Sequence, residues 1–439
     1  LSYFITLKSY SICWQHILLL SASYLFYGFW EWKFLGLILI VSAQTYLSAI
    51  LIKNFDQFKK ITLLFSLIIN LGILVYFKYL NFFYHEFINI FAINNSYTLE
   101  KVILPVGISF YIFQTFAYVV DVYLEKINPE RDALKYFLFV SFFPQLVAGP
   151  IERASSLLPQ FDKLIIINPD NLYQGIKLII TGLFLKVFIA DSLASEVDLI
   201  FSEYDKHNGG TLLLGALGFT IQIYGDFAGY SFVAIGIARV MGFTLTANFR
   251  TPYFACSITD FWRRWHISLS TFFRDYIYFP LGGSRLGKIR EARNLVATFM
   301  ISGLWHGANW TYIFWGLMHS ILMIFQRLLP IRFFTLINWL LTVAAVMLLW
   351  VAFRSASIYD FMSYLKIVFT QFGIPEDGLL ILLLMPHYLM IETLLHYEEE
   401  GEKTWLGSVT LEIIVLSIML MVVFGSIHYQ KHNFIYFQF

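Results

Sequence analysis

The chain alternates long apolar stretches with short polar connections, and this pattern predicts membrane helices. A helix needs about 20 apolar residues to cross a hydrocarbon core about 30 Å thick. Stretches of this kind lie at residues 12–30, 34–52, 60–80, 102–120, 136–150, 172–190, 211–224, 228–243, 295–325, 333–352, 378–395 and 406–427. We therefore predict an all-α, polytopic membrane protein with roughly 11–12 helices.

The stretch at 136–150 does not end like a simple crossing. It closes with FFPQLVAGP, in which Pro144, Gly149 and Pro150 interrupt the helix. Non-helical backbone at membrane depth is tolerated only where protein or a cavity satisfies its polar groups, so we predict re-entrant segments. The loops are short, and no linker, charge block or internal repeat divides the chain. The sequence therefore predicts a single membrane domain over residues 1–439.

Composition agrees with a membrane protein. Of the 439 residues, 58% are hydrophobic and 13% are charged, whereas soluble domains carry about 25% charged residues. The net charge of +1 provides no global field that would recruit nucleic acid. The two cysteines, Cys13 and Cys256, imply no disulfide framework, and neither they nor the histidines have the spacing of a metal site. We predict no bound metal.

The longest polar insert, residues 248–294, is basic. Its Lys and Arg residues are Arg250, Arg263, Arg264, Arg274, Arg285, Lys288, Arg290 and Arg293. By the positive-inside rule, the insert should face the cytoplasm. The same rule places the connection after the second span, which carries Lys53, Lys59 and Lys60, on the cytoplasmic side.

Within this insert, residues 260–278 read DFWRRWHISLSTFFRDYIY and have helical spacing. The spacing puts Trp262, His266 and Ser270 on one stripe, and places Asp260 four residues before Arg264. The pattern predicts an amphipathic helix on the membrane surface, with its arginines at lipid phosphates and its tryptophans at the interface. Spacing alone favours this interpretation over a catalytic one.

The segment ISGLWHGANWTYIFWGLMHS, residues 301–320, places His306 in otherwise apolar surroundings. A charged side chain at the centre of a membrane helix costs roughly 2.5–3.5 kcal/mol, so an ionisable residue there is a functional candidate. The alternative is a buried histidine that stabilises a break made by Gly303 and Gly307. The sequence does not decide between them.

Two polar neighbours of His306 lie in the same segment. Asn309 would lie one helical turn away, where its carbonyl could set the tautomer of the imidazole. His319, thirteen residues on, would point to nearly the opposite face of a continuous helix. It is therefore a partner for His306 only if the segment breaks. Farther away, Asp226, Gln145 and Glu152 could line a substrate path, but such residues often only satisfy broken backbone.

Five sequence blocks together carry a family resemblance. They are PVGISFYIFQTFAYVVDVY (105–123), FPQLVAGPIERA (143–154), FWRRWHISLSTFFRDYIYFPLGG (261–283), GLWHGANWTYIFWGLMH (303–319) and FIYFQF (434–439). In this order the chain resembles the bacterial membrane-bound O-acyltransferases. The resemblance implies that His306 matches the family's essential histidine and His266 the histidine of an upstream Trp-His motif.

The resemblance also implies an architecture. Helices would form a ring around a thin central region, and a channel would join the two membrane faces at the histidine. Members of the family usually have a further apolar segment before the stretch matched here by residues 14–30. We therefore expect the first helix to be truncated in this chain.

Acyl transfer from a thioester to a hydroxyl needs a base, help for the oxyanion and exclusion of water. We expect His306 to be the base, with His266 or Asn309 orienting its ring or polarising the carbonyl. Trp305, Trp265 and Arg264 are the other predicted substrate-binding residues. The basic insert would receive an anionic thioester donor, acetyl-CoA or an acyl carrier protein, and no bound cofactor is predicted.

The predicted setting is the inner membrane of a bacterium. The acceptor would be a hydroxyl of alginate, another exopolysaccharide, peptidoglycan, a teichoic acid or a periplasmic acyltransferase partner. Two other classes of protein stay open. A transporter or lipid flippase would also contain broken helices and a buried histidine, although the chain lacks the matched discontinuous segments typical of transporters. A non-catalytic scaffold of a polysaccharide-modification complex would not need His306 to titrate.

Overall fold

The structure, a computed structural model, describes residues 12–91, 102–147, 149–164, 168–285, 287–328, 334–401 and 405–427, and within these ranges it is helical without strands. Its α-helices are α1 (Ile12–Glu31), α2 (Leu35–Asn54), α3 (Lys59–Leu74), α4 (Leu80–Ile90), α5 (Ile108–Tyr123), α6 (Ala133–Ser141), α7 (Phe143–Leu146), α8 (Ala154–Phe161), α9 (Pro169–Leu183), α10 (Asp191–Ser202), α11 (Gly209–Val240), α12 (Ile258–Arg264), α13 (Ile267–Phe273), α14 (Lys288–His306), α15 (Trp310–Leu328), α16 (Thr335–Arg354), α17 (Ile358–Thr370), α18 (Leu379–Glu399) and α19 (Val409–Ser426). The block at residues 434–439 lies outside the described residues.

Seven of the described helical segments are long and apolar enough to cross a membrane. They are Ile12–Asn54, Asp56–Ile90, Pro169–Ser202, Gly209–Val240, Thr335–Arg354, Leu379–Glu399 and Val409–Ser426. The predicted all-α, polytopic membrane fold is confirmed. The central channel stays a prediction.

The chain divides into two compact units. One consists of residues 1–176 and 234–246, and the other of residues 177–233 and 247–439. The single domain over residues 1–439 therefore remains a prediction. The six predicted catalytic and substrate-binding residues, His306, His266, Asn309, Trp305, Trp265 and Arg264, lie in the second unit, whereas Gln145 and Glu152 lie in the first.

The two spans predicted at residues 211–224 and 228–243 are one helix, α11. A Cβ on Gly229 would approach the carbonyl oxygen of Gly182 to 2.7 Å, so this glycine permits close helix packing and does not end the helix. Asp226 beside it is buried and forms an ion pair with Lys186. This pairing supports the structural interpretation of Asp226, because a buried carboxylate needs a partner.

The long span predicted at residues 295–325 is instead a hairpin of α14 and α15. The chain reverses between His306 and Trp310, where no helix is formed. A Cβ on Gly303 would collide with the carbonyl oxygen of Tyr312, and one on Gly316 with that of Phe299. Glycine is needed at both positions because the two backbones approach so closely.

The predicted break at residues 136–150 is present. Helix α6 has nine residues, about 14 Å in length, and the chain turns at Phe142 before the four-residue α7. Gln145 donates from Nε2 to the carbonyl oxygen of Phe139 at 2.8 Å, which satisfies backbone at the end of α6. Glu152 accepts from the backbone N–H and the hydroxyl of Thr246.

Candidate active site

The predicted surface helix at residues 260–278 does not exist as one helix. It is divided into α12 and α13 at His266, whose φ of +42° lies in the left-handed region. Trp265 and His266 are fully buried. The expectation of one continuous helix with Trp265 at the interface is therefore wrong, because spacing along the chain cannot reveal a backbone break that burial stabilises.

His266 contacts one amide, that of Asn248, and three aromatic rings, those of Phe227, Phe249 and Trp305. Its Nδ1 lies 3.0 Å from Oδ1 of Asn248. The ring of Phe227 meets it edge-on at 4.6 Å, and that of Phe249 stacks at 6.4 Å. This part of the chain lies outside the seven apolar segments, and burial lowers the pKa of His266 to about 3. The ring is therefore neutral at physiological pH.

His306 is the last residue of α14 and is only 2% exposed. Three aromatic rings stand nearly perpendicular to its imidazole, at centroid distances of 4.9 Å for Trp305, 5.2 Å for Trp315 and 5.4 Å for Phe353. An apolar shell of this kind suits a neutral imidazole that accepts and returns a proton away from bulk water.

Trp305 connects the two histidines. Its ring contacts His306 at 4.9 Å on one side and His266 at 5.9 Å on the other. The structure therefore brings together three predicted site residues from two separate sequence blocks. Trp305 itself is buried, so it can shape the space between two imidazoles.

The other predicted residues occupy different surroundings. Trp265 packs against Trp350 at 4.9 Å and against Phe249 at 5.1 Å, and Phe249 in turn contacts His266. Arg264 is paired with Asp260, with Nε and Oδ1 3.1 Å apart. A role for either in binding substrate stays a prediction.

Asn309 is not one turn from His306 on a common helix, because α14 ends at His306. Its Oδ1 accepts from the backbone N–H of Thr311 at 3.2 Å, and its Nδ2 donates to the carbonyl oxygen of Ala356 at 3.0 Å. The side chain thus binds the start of α15 and the segment after α16. Its local hydrogen-bonding capacity favours this capping position.

The break after His306 gives His319 a place that the sequence did not predict. His319 is fully buried, and the ring of Trp315 lies 4.8 Å from it and 5.2 Å from His306. Trp262 donates from Nε1 to Nδ1 of His319 at 3.3 Å. Both histidines therefore touch one tryptophan on α15.

A cavity of about 400 Å³ opens beside this cluster. Trp262 forms part of its wall, together with Ser302, which lies one helical turn before His306. Its other lining residues include three arginines, Arg263, Arg274 and Arg327. An apolar cavity with a few cations is suited to an amphipathic ligand that carries negative charge.

Within the described parts of the chain, no group of three or more His, Cys, Asp or Glu side chains could hold a metal ion. The absence of a metal from the mechanism stays a prediction. The chemistry available at this site is that of imidazole rings, indole N–H groups and arginines.

The polytopic helical fold and the buried histidines agree with the acyltransferase class that the sequence resembles. Residues 130–367 match the membrane-bound O-acyltransferase family. The chain is 41% identical over 360 residues to the probable alginate O-acetylase AlgI of Pseudomonas syringae pv. tomato, a match that covers 79% of this chain and 68% of that protein. The chain belongs to the membrane-bound O-acyltransferase family.

Two other relatives carry different names. The peptidoglycan O-acetyltransferase of Helicobacter pylori is 37% identical over 383 residues, covering 79% of this chain and 72% of the relative. The teichoic acid D-alanyltransferase of Bacillus subtilis is 31% identical over 228 residues, covering 49% and 57%. The protein is thus a multi-pass membrane acyltransferase, and the three relatives named here are a probable alginate O-acetylase, a peptidoglycan O-acetyltransferase and a teichoic acid D-alanyltransferase.

Proposed function

We propose that the protein moves an acetyl group from a cytoplasmic thioester to a hydroxyl of a cell-surface polysaccharide or of a periplasmic partner protein, in the inner membrane of a bacterium. The observation that carries this proposal is the burial of His306 in an aromatic shell beside the arginine-lined cavity. The names of the relatives support acetyl as the group and a polymer as the acceptor.

His306 is the base in this proposal. It accepts the proton of the acceptor hydroxyl while the oxygen attacks the thioester carbonyl, and it then gives the proton to the departing thiolate. One C–O bond forms and one C–S bond breaks, so no proton is gained or lost overall. A neutral imidazole suits both steps, and such help is typically worth about 10²- to 10⁴-fold in rate.

The cavity receives the donor in this proposal. Acetyl-CoA and an acylated carrier protein both carry a phosphate on a flexible pantetheine arm. Arg263 and Arg274 line the cavity and offer planar guanidinium groups for that phosphate. Ser302, on α14, also lines the cavity and lies one helical turn before His306. The arm would then present its thioester towards the histidine.

Reconstitution tests the proposal. The purified protein in liposomes would receive either acetyl-CoA or an acetylated carrier protein, each with a labelled acetyl group, and either a polyuronate or a peptidoglycan fragment as acceptor. We expect alkali-labile label on one acceptor. Arg263→Ala should raise the donor KM, whereas Arg131→Ala, an exposed arginine in the other unit, should not. No transfer from either donor to either acceptor would contradict the proposal.

A further inference from the structure

We propose that Asn248 is a positioning residue that holds His266 as the tautomer protonated at Nδ1, and so leaves Nε2 of His266 as a hydrogen-bond acceptor for a substrate. This inference deepens the proposed function, because it assigns His266 a part in the same reaction. The inference depends on whether Oδ1 or Nδ2 of Asn248 faces His266, and the neighbouring hydrogen-bond donors assign this orientation.

The oxygen of the Asn248 amide faces His266 and Ser268. The backbone N–H of Ser268 points at Oδ1 from 3.4 Å, and the Ser268 hydroxyl donates to the same oxygen at 2.9 Å. A backbone N–H can only donate, so a reversed amide would place an NH₂ group against it. On the other side, Nδ2 of Asn248 donates to the hydroxyl of Ser231 at 3.1 Å. The network therefore assigns the amide orientation.

The amide oxygen in turn assigns the proton on His266. An amide oxygen can only accept, so Nδ1 of His266, 3.0 Å away, carries the hydrogen. A neutral imidazole has one N–H, and Nε2 then holds a lone pair. The orienting partner of one ring nitrogen decides the role of the other.

Asn248 also holds the backbone on which His266 stands. The N–H of Ile267 donates to the carbonyl oxygen of Asn248 at 2.9 Å, and the N–H of Arg250 donates to that of Arg264 at 2.9 Å. His266 lies between these bonds with its positive φ, a conformation that is unfavourable for a residue other than glycine and persists only where the surroundings enforce it. Asn248 thus restrains both the ring and the backbone of His266.

The tautomer limits what His266 can do. Without a hydrogen on Nε2, the neutral ring cannot donate to the thioester carbonyl or to the oxyanion. It can accept a hydrogen bond from a substrate O–H or N–H group, and such groups occur on the acceptor hydroxyl and on the pantetheine amides. His306 returns the proton to the thiolate. His266 therefore only accepts a hydrogen bond and takes up no second proton.

Nitrogen NMR of the full-length protein, labelled at histidine and reconstituted in nanodiscs, tests the tautomer directly. The signals of His266 are those that disappear in His266→Gln. We expect hydrogen on Nδ1 in the wild type and in Asn248→Asp, which keeps an oxygen acceptor. Asn248→Ala should lose this preference. Asn70→Ala removes an equally buried asparagine from the other unit and should leave the His266 signals unchanged.

Kinetics of the same variants test the role. Asn248→Ala should lose about 10- to 100-fold in turnover, as expected for loss of an orienting partner, and Asn248→Asp should recover most of it. A raised donor KM would assign the bond to a pantetheine amide, and a lowered kcat alone to the acceptor hydroxyl. Hydrogen on Nε2 in the wild type, or unaltered kinetics in a folded Asn248→Ala, would overturn the inference. The wild-type spectrum decides the tautomer even if no acyl transfer is found, so the two proposals fail separately.

Discussion

The indole of Trp262 donates a hydrogen bond to Nδ1 of His319 across 3.3 Å. Because an indole N–H can only donate, Nδ1 of His319 is the acceptor and its hydrogen lies on Nε2. Trp262 lines the cavity, and His319 contacts Trp315, which contacts His306. This one hydrogen bond therefore ties the wall of the cavity to the aromatic shell of the candidate base.

We predict that stability and activity require a hydrogen-bond acceptor at position 319 and do not require an imidazole ring there. His319→Gln can still accept from Trp262, whereas His319→Phe keeps a ring of similar size and leaves a buried N–H unsatisfied, at about 1–3 kcal/mol. The Phe variant should unfold at a lower temperature and have a lower kcat/KM for the donor. Thermal unfolding and steady-state kinetics measure both.

A double-variant cycle with Trp262→Phe is the control for this prediction. If the hydrogen bond carries the effect, the loss in His319→Phe should shrink when Trp262 no longer donates. Equal losses in the Gln and Phe variants, with additive effects in the double variant, would show that the bond contributes nothing.

For the base, we predict that His306→Ala loses about 10²- to 10⁴-fold in acyl transfer while the protein still inserts and folds. The aromatic shell of Trp305, Trp315 and Phe353 remains, so the scaffold survives the substitution. Labelled-acetyl transfer by the purified variant measures the loss, and its size-exclusion profile controls for folding. Near wild-type acetylation by the variant would show that His306 is not the base. It would favour a structural role for this residue, as in a non-catalytic scaffold.

The sequence predicted the class of protein better than it predicted the geometry of this site. His306 could be identified as a candidate from its apolar sequence neighbours alone, because this argument does not depend on which face of a helix the residue occupies. The place of His319 was not predictable, since it depends on a reversal at residues 307–309 that no helical periodicity shows. Asn248 carried no signal either: its partner His266 lies eighteen residues away, and their contact depends on backbone hydrogen bonds formed only in the folded chain.

His266 and His306 should respond differently to glutamine. Gln keeps some hydrogen-bonding capacity but cannot act as a base near neutral pH. His306→Gln should therefore be as inactive as the alanine variant. His266→Gln should lose turnover only in part, mainly through a higher apparent donor KM. Kinetics with varied thioester separate the two, and complete, equal loss in both would place His266 in the proton-transfer step.

Glu152 makes folding stability depend on pH. Burial raises its pKa to about 7, against the hydrogen bonds from Thr246, and the residue lies outside the seven apolar segments. The folded chain therefore binds this proton more tightly than the unfolded chain. Stability from this group is complete below pH 4.5 and is lost as the pH rises through about 7.

Removing the carboxyl group should remove that dependence. Between pH 5 and pH 8, the melting temperature of the wild type should fall further than that of Glu152→Gln. Glu125→Gln changes an exposed glutamate in the same unit and should behave like the wild type. Parallel pH profiles for wild type and Glu152→Gln would show that Glu152 does not titrate in this range.

Membrane orientation gives the last prediction. The eight basic residues of the insert at 248–294 resist translocation, so the insert should face the cytoplasm. Lys288, at the exposed start of α14, is a suitable position for a single cysteine in a background without Cys13 and Cys256. In intact cells this cysteine should resist an impermeant thiol reagent and should react once the membrane is opened. Labelling from outside would show that the insert faces away from the cytoplasm. The thioester donor would then have to enter from that side, because Arg263 and Arg274 of the cavity belong to the same insert.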